Sequence, residues 1–235
     1  MIEWWSEDAN FITPFDLHHF VYIFVVSVAL VLLIGKREKV KENRNTIAMV
    51  ILIISILQQI MLYSWYVFET GFDLSESLPL HISRINTLLV IYFLITKNSK
   101  VLDVLFYFSL FAYASFLYPQ RVYAIYHIIG ISFLVNHVIT LLLPYFAYIA
   151  YRWRPNFIGL LKAYGFFLIY LMSVYFFNPL VDGNYFYLKY RPFFRGWPDY
   201  LYIPSIAIVT FLGFAIAYFI IRTIIRRGLT TKIDR

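Results

Sequence analysis

A cluster of chemically active side chains opens the third hydrophobic stretch of the chain. Within six residues, His81, Ser83, Arg84 and Asn86 supply an imidazole, a hydroxyl, a guanidinium and an amide. Polar and ionisable groups are expensive inside a membrane, where they usually face the interior of a helix bundle and mark functional sites. These four residues, called the polar cluster below, therefore indicate a functional site within a membrane.

The polar cluster can supply a nucleophile if a histidine lies beside it. Serine needs a base within hydrogen-bond reach, and a neutral histidine is the usual base. His137 is one candidate base for Ser83 and His127 is its rival, whereas Arg84 and Asn86 suit a phosphate or an oxyanion. The structural alternative is that each polar residue only hydrogen-bonds one helix to another, as is common in membranes.

Composition predicts the elements that position these residues. The 235-residue chain is 61% apolar, 21% aromatic and 14% charged, with a mean hydropathy of +0.70. Because a crossing helix needs ~20 mostly apolar residues, we expect an all-α polytopic bundle of seven transmembrane helices in a single domain, residues 1–235. The predicted spans are 15–35, 46–68, 79–96, 101–118, 123–150, 157–177 and 200–221.

Several function classes are excluded by what the sequence lacks. It has no cysteine, which rules out disulfides, thiolate nucleophiles and Cys-ligated metals. Gly-rich phosphate loops are missing, so we expect no cofactor. The net charge of +7 is spread over several loops rather than one surface, which argues against a nucleic-acid partner. The acidic start of the chain predicts no cleaved signal peptide.

Basic residues predict the orientation in the membrane. They concentrate in the first, third and fifth connections and the tail: Lys36, Arg37, Lys39, Lys41, Arg44, Lys97, Lys100, Arg152, Arg154, Arg222, Arg226, Arg227, Lys232 and Arg235. The positive-inside rule then places the N-terminus outside and the C-terminus in the cytoplasm. The 36–44 segment and the tail also suit binding of anionic lipids.

The depths of the histidines along their predicted helices do not decide which of them is the base for Ser83. Ser83 lies ~6 Å below the start of its predicted span, level with His18, His19 and His127, whereas His137 lies ~15 Å beyond His127. A tilted fifth helix, or a deeper start of the third, would bring His137 to Ser83. A zinc site built from His81 and these other histidines is a further alternative, although their spacing matches no compact motif.

Motifs along most of the chain resemble one family. The run from Leu78 to Ser83 resembles the Leu-Pro-Leu-His-x-Cys signature of the YwaF family of bacterial integral membrane proteins. The other matching positions are Pro14, His18 or His19, His127, His137, Asn178, Gly183, Asn184, Tyr185, Pro192, Trp197, Pro198 and Tyr200. The resemblance implies a seven-span protein of a bacterial cell (plasma) membrane, with His18, His19, Asn184 and Tyr185 in its binding site.

The same resemblance implies a chemistry. The YwaF family is grouped with a vertebrate multi-pass protein proposed to move acyl chains between phospholipids through a Cys and a His, and it distantly resembles the androgen-induced family of intramembrane ester hydrolases. Carried over, the nucleophile is Ser83 and the base His137. Serine replaces the family cysteine and has no thiolate fraction to use, so acyl transfer would depend on the base.

Two functions follow from these observations. The first is an outer-leaflet lipid acyltransferase or ester hydrolase that uses Ser83 and His137, with loop 178–199 as a lid. This loop is rich in Pro, Gly and aromatic residues, as expected at a membrane interface. The second is a non-enzymatic binding, transport or accessory subunit, whose cavity holds a lipid or an anion through Arg84. Membrane lipids and a protein partner in the membrane are the expected partners.

Overall fold

The computed structural model describes residues 3–233 and the side chains of residues 3–225. This part of the chain is helical, with one isolated β-bridge between Phe11 and Tyr123. Its helices are α1 (Leu17–Gly35), α2 (Arg37–Glu42), α3 (Arg44–Phe68), α4 (Ile82–Thr96), α5 (Lys100–Leu117), α6 (Ile128–Tyr151), α7 (Phe157–Phe177) and α8 (Asp199–Ile233). Two short 3-10 turns, Asn178–Leu180 and Tyr185–Tyr187, follow α7.

Six of these helices are long and apolar enough to cross a membrane. They are α1, α3, α5, α6, α7 and α8, and they correspond to six of the seven predicted spans. The remaining span, predicted as 79–96, is the 15-residue helix α4, which is ~22 Å long. An all-helical multi-span protein is thus confirmed, whereas the count of seven crossings and the orientation stay predictions.

Two helices begin three or more residues later than the hydropathy pattern predicts. Residues 79–81 are not helical, and His81 has an extended backbone and forms the N-cap of α4. The fifth predicted span, 123–150, begins at Ile128, where the side chain of His127 caps the first turn of α6. The hydropathy pattern predicted both helix starts several residues too early, because the irregular segments before these helices also carry apolar side chains into the bundle.

Helix α4 occupies the centre of the bundle, as its wide polar arc predicts. It packs against α3, α5 and α6. Its lower half buries Val90, Phe93 and Leu94 in one apolar cluster with α5 and α6. Its N-terminal residue, Ile82, joins a second apolar cluster with α5, α7 and α8. The polar cluster therefore starts a helix that is covered on several sides by protein.

The basic connections share one end of the bundle. The same cavity is lined by Lys41 on α2, Arg44 at the start of α3, Lys97 after α4 and Arg152 after α6, which agrees with the sequence grouping. In the predicted basic tail, the side chains of Arg226, Arg227 and Lys232 lie outside the described part, as does Arg235 altogether.

Candidate functional site

Ser83 lies beside α6 at the level of Asn136. The side-chain Nδ2 of Asn136 donates to the backbone carbonyl of Ser83 at 3.3 Å, so α4 and α6 meet at these two residues. His137 directly follows Asn136, whereas His127 lies nine residues earlier, ~13.5 Å along the helix axis. This contact brings Ser83 to the level of Asn136 and His137, closer to His137 than the predicted span starts indicate.

The hydroxyl of Ser83 is unengaged, unlike the hydroxyls next to it. Thr87 Oγ1 donates to the Ser83 carbonyl at 3.2 Å, and Ser109 Oγ on α5 donates to the Phe106 carbonyl at 2.7 Å. Ser83 is half-buried, and its Oγ has no hydrogen-bond partner within residues 3–225. Because the fourth residue before it, Pro79, precedes the helix, Ser83 has no helical carbonyl to bond. Its Oγ is available for a ligand or a base.

His137 has the tautomer that a general base needs. Its Nδ1 lies 2.8 Å from the carbonyl oxygen of Phe133, and because a carbonyl cannot donate, Nδ1 carries the proton. In a neutral ring the lone pair is then on Nε2. The ring is 4% exposed and packs against Phe133 and Phe116, with centroids 3.9 Å and 5.6 Å away.

His127, the rival base, is engaged at both ring nitrogens. Its Nδ1 accepts from the Ile129 amide at 3.1 Å, and Nε2 donates to the Ser6 carbonyl at 3.1 Å. The ring stacks on Tyr123 at 4.1 Å. Burial lowers the pKa of His127, although the Ser6 carbonyl counteracts this effect, and the neutral ring suits both bonds. These contacts fasten the N-terminal segment to the start of α6.

We therefore expect His127 to contribute to stability. His127→Ala should lower the free energy of unfolding by about 2–3 kcal/mol, since it removes a helix cap and a hydrogen bond. His127→Asn should recover about half of this loss, because asparagine is a good N-cap that cannot reach Ser6. Unfolding of the purified variants in detergent measures both, and equal losses would show that capping is unimportant.

The two histidines of α1 lie near the end of α5 and the start of α6. His19 is buried and accepts from the Phe15 amide through Nδ1 at 2.8 Å, while its Nε2 donates to the Phe116 carbonyl. His18 is half-buried and packs edge-on against Tyr126. Since Phe116 also contacts His137, the structure brings His19 close to the candidate base. Both ring nitrogens of His19 are already hydrogen-bonded.

Arg84 holds the segment before α4 in place. Its Nη1 donates to the carbonyls of Glu76 and Leu78, and its Nη2 donates to the hydroxyl of Tyr66 on α3. The side chain is buried, with the whole residue 8% exposed. Within the described side chains, no carboxylate forms an ion pair with it. Three of the five guanidinium donors are thus used to tie residues 76–78 to α3 and α4.

Asn86 carries unsatisfied polar atoms next to Ser83. The residue is fully buried, and in the described part of the chain neither Nδ2 nor Oδ1 has a hydrogen-bond partner. Three residues apart on one helix, Ser83 and Asn86 have Cβ atoms ~5–6 Å from each other. Because an unpaired buried amide is costly, these atoms are suited to a polar group that binds beside Ser83.

Loop 178–199 covers the start of α4. The Tyr185 ring lies 5.0 Å from the His81 ring, and the Tyr185 hydroxyl donates to the Leu74 carbonyl at 2.7 Å. Asn178 pairs through its amide with the backbone of Tyr185 at both N–H and C=O. A Cβ on Gly183 would lie only 3.0 Å from Asn178 Oδ1, which explains why this turn contains a glycine.

The other residue predicted from this loop has a local role in the structure. Asn184 Oδ1 accepts from the amides of Lys189 and Tyr190, at 3.0 Å and 2.9 Å, which closes the loop on itself.

At the N-cap of α4, burial and then the charge of Arg84 lower the pKa of His81 well below its usual range. His81 is therefore a neutral ring against Tyr185 and Tyr187.

The predicted histidines do not converge on a metal. His127 and His137 are separated along α6, and within the described residues no group of three His, Cys, Asp or Glu side chains could hold a metal ion.

Two further residues, Asn136 and Tyr66, contact the predicted site residues. Asn136 connects Ser83 to α6, and Tyr66 accepts from Arg84. Asn136 belongs to a stripe with Ser132 and Thr140, spaced by four residues on one face of α6. Gln58 of α3 donates to Ser132 at 2.6 Å, and Thr140 donates to Asn136 at 3.2 Å. The four-residue spacing could have revealed this stripe, whereas nothing in the sequence pairs Tyr66 with Arg84.

Comparison with known proteins places the chain in a family. The model of the TMEM164 family matches residues 14–221, from the residues before α1 into α8. The chain belongs to the TMEM164 family. Neither a curated protein nor a solved structure matches it. Together with the six long apolar helices, TMEM164 membership confirms an integral multi-pass membrane protein.

Proposed function

We propose that this TMEM164-family protein transfers or hydrolyses acyl groups of membrane lipids, with Ser83 as nucleophile and His137 as general base. The observation that supports the proposal is the hydrogen bond of 3.3 Å from Asn136 to the Ser83 carbonyl, because Asn136 is the residue before His137 and the Ser83 hydroxyl is unengaged. The narrower resemblance to YwaF-like bacterial proteins supports the same chemistry and a cell-membrane location.

The reaction uses two half-steps. Ser83 Oγ attacks the carbonyl carbon of a lipid ester as His137 Nε2 takes its proton. The bond to the lipid alcohol then breaks, and His137 returns the proton to the leaving oxygen, which yields an acyl-Ser83 ester. Water or the hydroxyl of a second lipid attacks this ester as His137 takes the proton of the attacking group. His137 then gives this proton to Ser83 Oγ as the ester bond to Ser83 breaks. Water gives a fatty acid, whereas a second lipid gives a new ester.

Neighbouring residues assist these steps. Asn86 Nδ2 is an unpaired donor close to Ser83 and stabilises the oxyanion that develops on the ester carbonyl. Arg84 positions the start of α4 through the carbonyls of Glu76 and Leu78. Loop 178–199 acts as the lid, with Tyr185 closing over His81 and keeping water from the ester.

The role of His137 can be tested in liposomes. His137→Gln is expected to lower acyl turnover by about 100-fold or more, because removal of a general base typically costs this much. The assay follows fatty-acid release and acyl transfer to a lysolipid by purified, reconstituted protein. The matched control is Ser109→Ala on α5, whose hydroxyl bonds only its own helix and whose loss should leave turnover within a few-fold of wild type. Equal turnover by His137→Gln and wild type would contradict the proposal.

The second candidate is a non-enzymatic anion- or lipid-binding subunit. The observation that favours it is Arg84, a buried cation that forms no ion pair with a described carboxylate and has two guanidinium N–H groups left over. This function predicts that Ser83→Ala is fully active in cells and that the protein co-purifies with a stable membrane partner.

A further inference from the structure

A second polar site lies at the opposite end of the bundle from Ser83. A cavity of about 380 Å³ opens between the start of α3 and the ends of α4 and α6. Lys41, Arg44, Lys97 and Arg152 line it, together with Asn45 and Tyr151, and none of its lining residues is acidic. Lys97 is 14 residues from Ser83 on α4, ~21 Å along the axis. We refer to this cavity as the basic cavity.

The four cations of the basic cavity lack counter-ions. None of them forms an ion pair with any described carboxylate. Arg44 Nη1 donates to the Ala150 carbonyl at 3.3 Å, which fixes the guanidinium at the rim. The side chain of Lys97 is exposed, and desolvation by its surroundings lowers its pKa. A bound anion would relieve the repulsion among these groups.

Two of the cations occupy backbone positions that favour other residues. Lys97 and Arg152 are the C-caps of α4 and α6, both with φ of 56°, a left-handed conformation usually taken by Gly or Asn. A cation at the C-terminus of a helix stabilises that helix through its dipole. This effect acts on each helix separately, so it does not explain why the two helix ends lie beside Lys41 and Arg44 around one cavity.

The aromatic ring of Tyr151 lies beside the cations of the basic cavity. Lys97 Nζ is 6.0 Å from the centre of this ring. Two guanidinium and two ammonium groups around one space form the donor set that phosphate groups prefer.

We propose that the basic cavity binds the phosphate head group of an anionic phospholipid. Basic pockets between transmembrane helices are known to bind such head groups. Apolar side chains exposed beside the cavity provide a path for the acyl chains: Met49, one turn from Asn45, is 56% exposed, and Ile95, two residues before Lys97, is 63% exposed. Inorganic phosphate would contact the same cations but has no acyl chains to lie along these apolar side chains.

Calorimetric titration of the purified protein in neutral detergent tests the proposal. The ligands are short-chain phosphatidylglycerol, short-chain phosphatidylcholine and inorganic phosphate. The double variant Lys41→Gln/Lys97→Gln is expected to bind phosphatidylglycerol about 30-fold more weakly, roughly fivefold for each cation removed. The matched control, Lys39→Gln/Lys100→Gln, removes two exposed lysines of the same end that do not line the cavity and should bind like wild type.

Each outcome decides the proposal. Tight phosphatidylglycerol binding that is lost only in the cavity variant supports it, as does much weaker binding of phosphatidylcholine and of inorganic phosphate. Equal affinity for the two lipids, or equal weakening by the two double variants, would overturn the cavity as an anion site. Inorganic phosphate that binds as tightly as phosphatidylglycerol would overturn the lipid as its ligand.

Discussion

Ser83→Ala is expected to lower lipid acyl turnover by roughly 10³-fold or more, because it removes the group that forms the covalent intermediate. Ser83 is half-buried and its hydroxyl bonds nothing in the described chain, so this change should leave the folded state nearly as stable as wild type. Lipid profiles of cells that lack the protein, complemented with each variant, measure the effect in the native membrane.

Two further substitutions make the Ser83 test specific. Ser83→Cys introduces the residue that the YwaF-like resemblance implies at this position, and a thiol is intrinsically more nucleophilic than a hydroxyl, so turnover should stay well above that of Ser83→Ala. Thr87→Val removes a hydroxyl one turn away that bonds only the Ser83 carbonyl and should change turnover little. Lipid profiles that are the same with Ser83→Ala and wild type would favour the non-enzymatic subunit.

Arg84→Met is expected to destabilise the protein by about 3 kcal/mol or more. The change leaves the half-buried carbonyls of Glu76 and Leu78 and the buried hydroxyl of Tyr66 without their donor. An unsatisfied group costs about 1–3 kcal/mol when it is buried and less where water reaches it, so the three losses together give about 3 kcal/mol. The loss is large for a folded state whose total stability is typically about 5–15 kcal/mol. Chemical or thermal unfolding in detergent measures it.

Arg121 provides the matched control for Arg84. It also contacts Glu76, but through the carboxylate at 2.5 Å and with its side chain 53% exposed. Exposed ion pairs contribute about 0–1 kcal/mol, so Arg121→Met should have a small effect. Arg84→Lys should be intermediate, since one ammonium cannot replace the planar guanidinium at three acceptors. If Arg84→Met were no more harmful than Arg121→Met, Arg84 would not hold residues 76–78 in place.

The helices were largely predictable because their apolar residues recur over whole spans. The basic residues of the connections similarly predicted that Lys41, Arg44, Lys97 and Arg152 share one end of the bundle, as the structure has them. Hydropathy could not place the start of α4, since Leu78, Pro79 and Leu80 are as apolar as a helix would be. Arg84 bonds the carbonyl of Leu78 in this irregular segment, and no sequence pattern encodes that contact.

The candidate site was predictable in its residues more than in its geometry. Residue types alone identified Ser83 and two histidines, but counting from predicted helix starts put Ser83 level with His127. The structure has Ser83 at the level of Asn136 instead. The capping role of His127 and the unsatisfied amide of Asn86 depend on partners from distant segments, such as Ser6, and no local pattern encodes them.

The most direct test of acyl transfer through Ser83 is to look for the acyl-enzyme itself. Purified protein would be incubated with a lipid ester, quenched, digested and analysed by mass spectrometry. We predict that the peptide containing Ser83 gains the mass of the fatty acid less that of one water molecule, and that His137→Gln accumulates little of this adduct. Lipid turnover without any acyl adduct on Ser83, or an adduct that persists elsewhere in Ser83→Ala, would contradict the account.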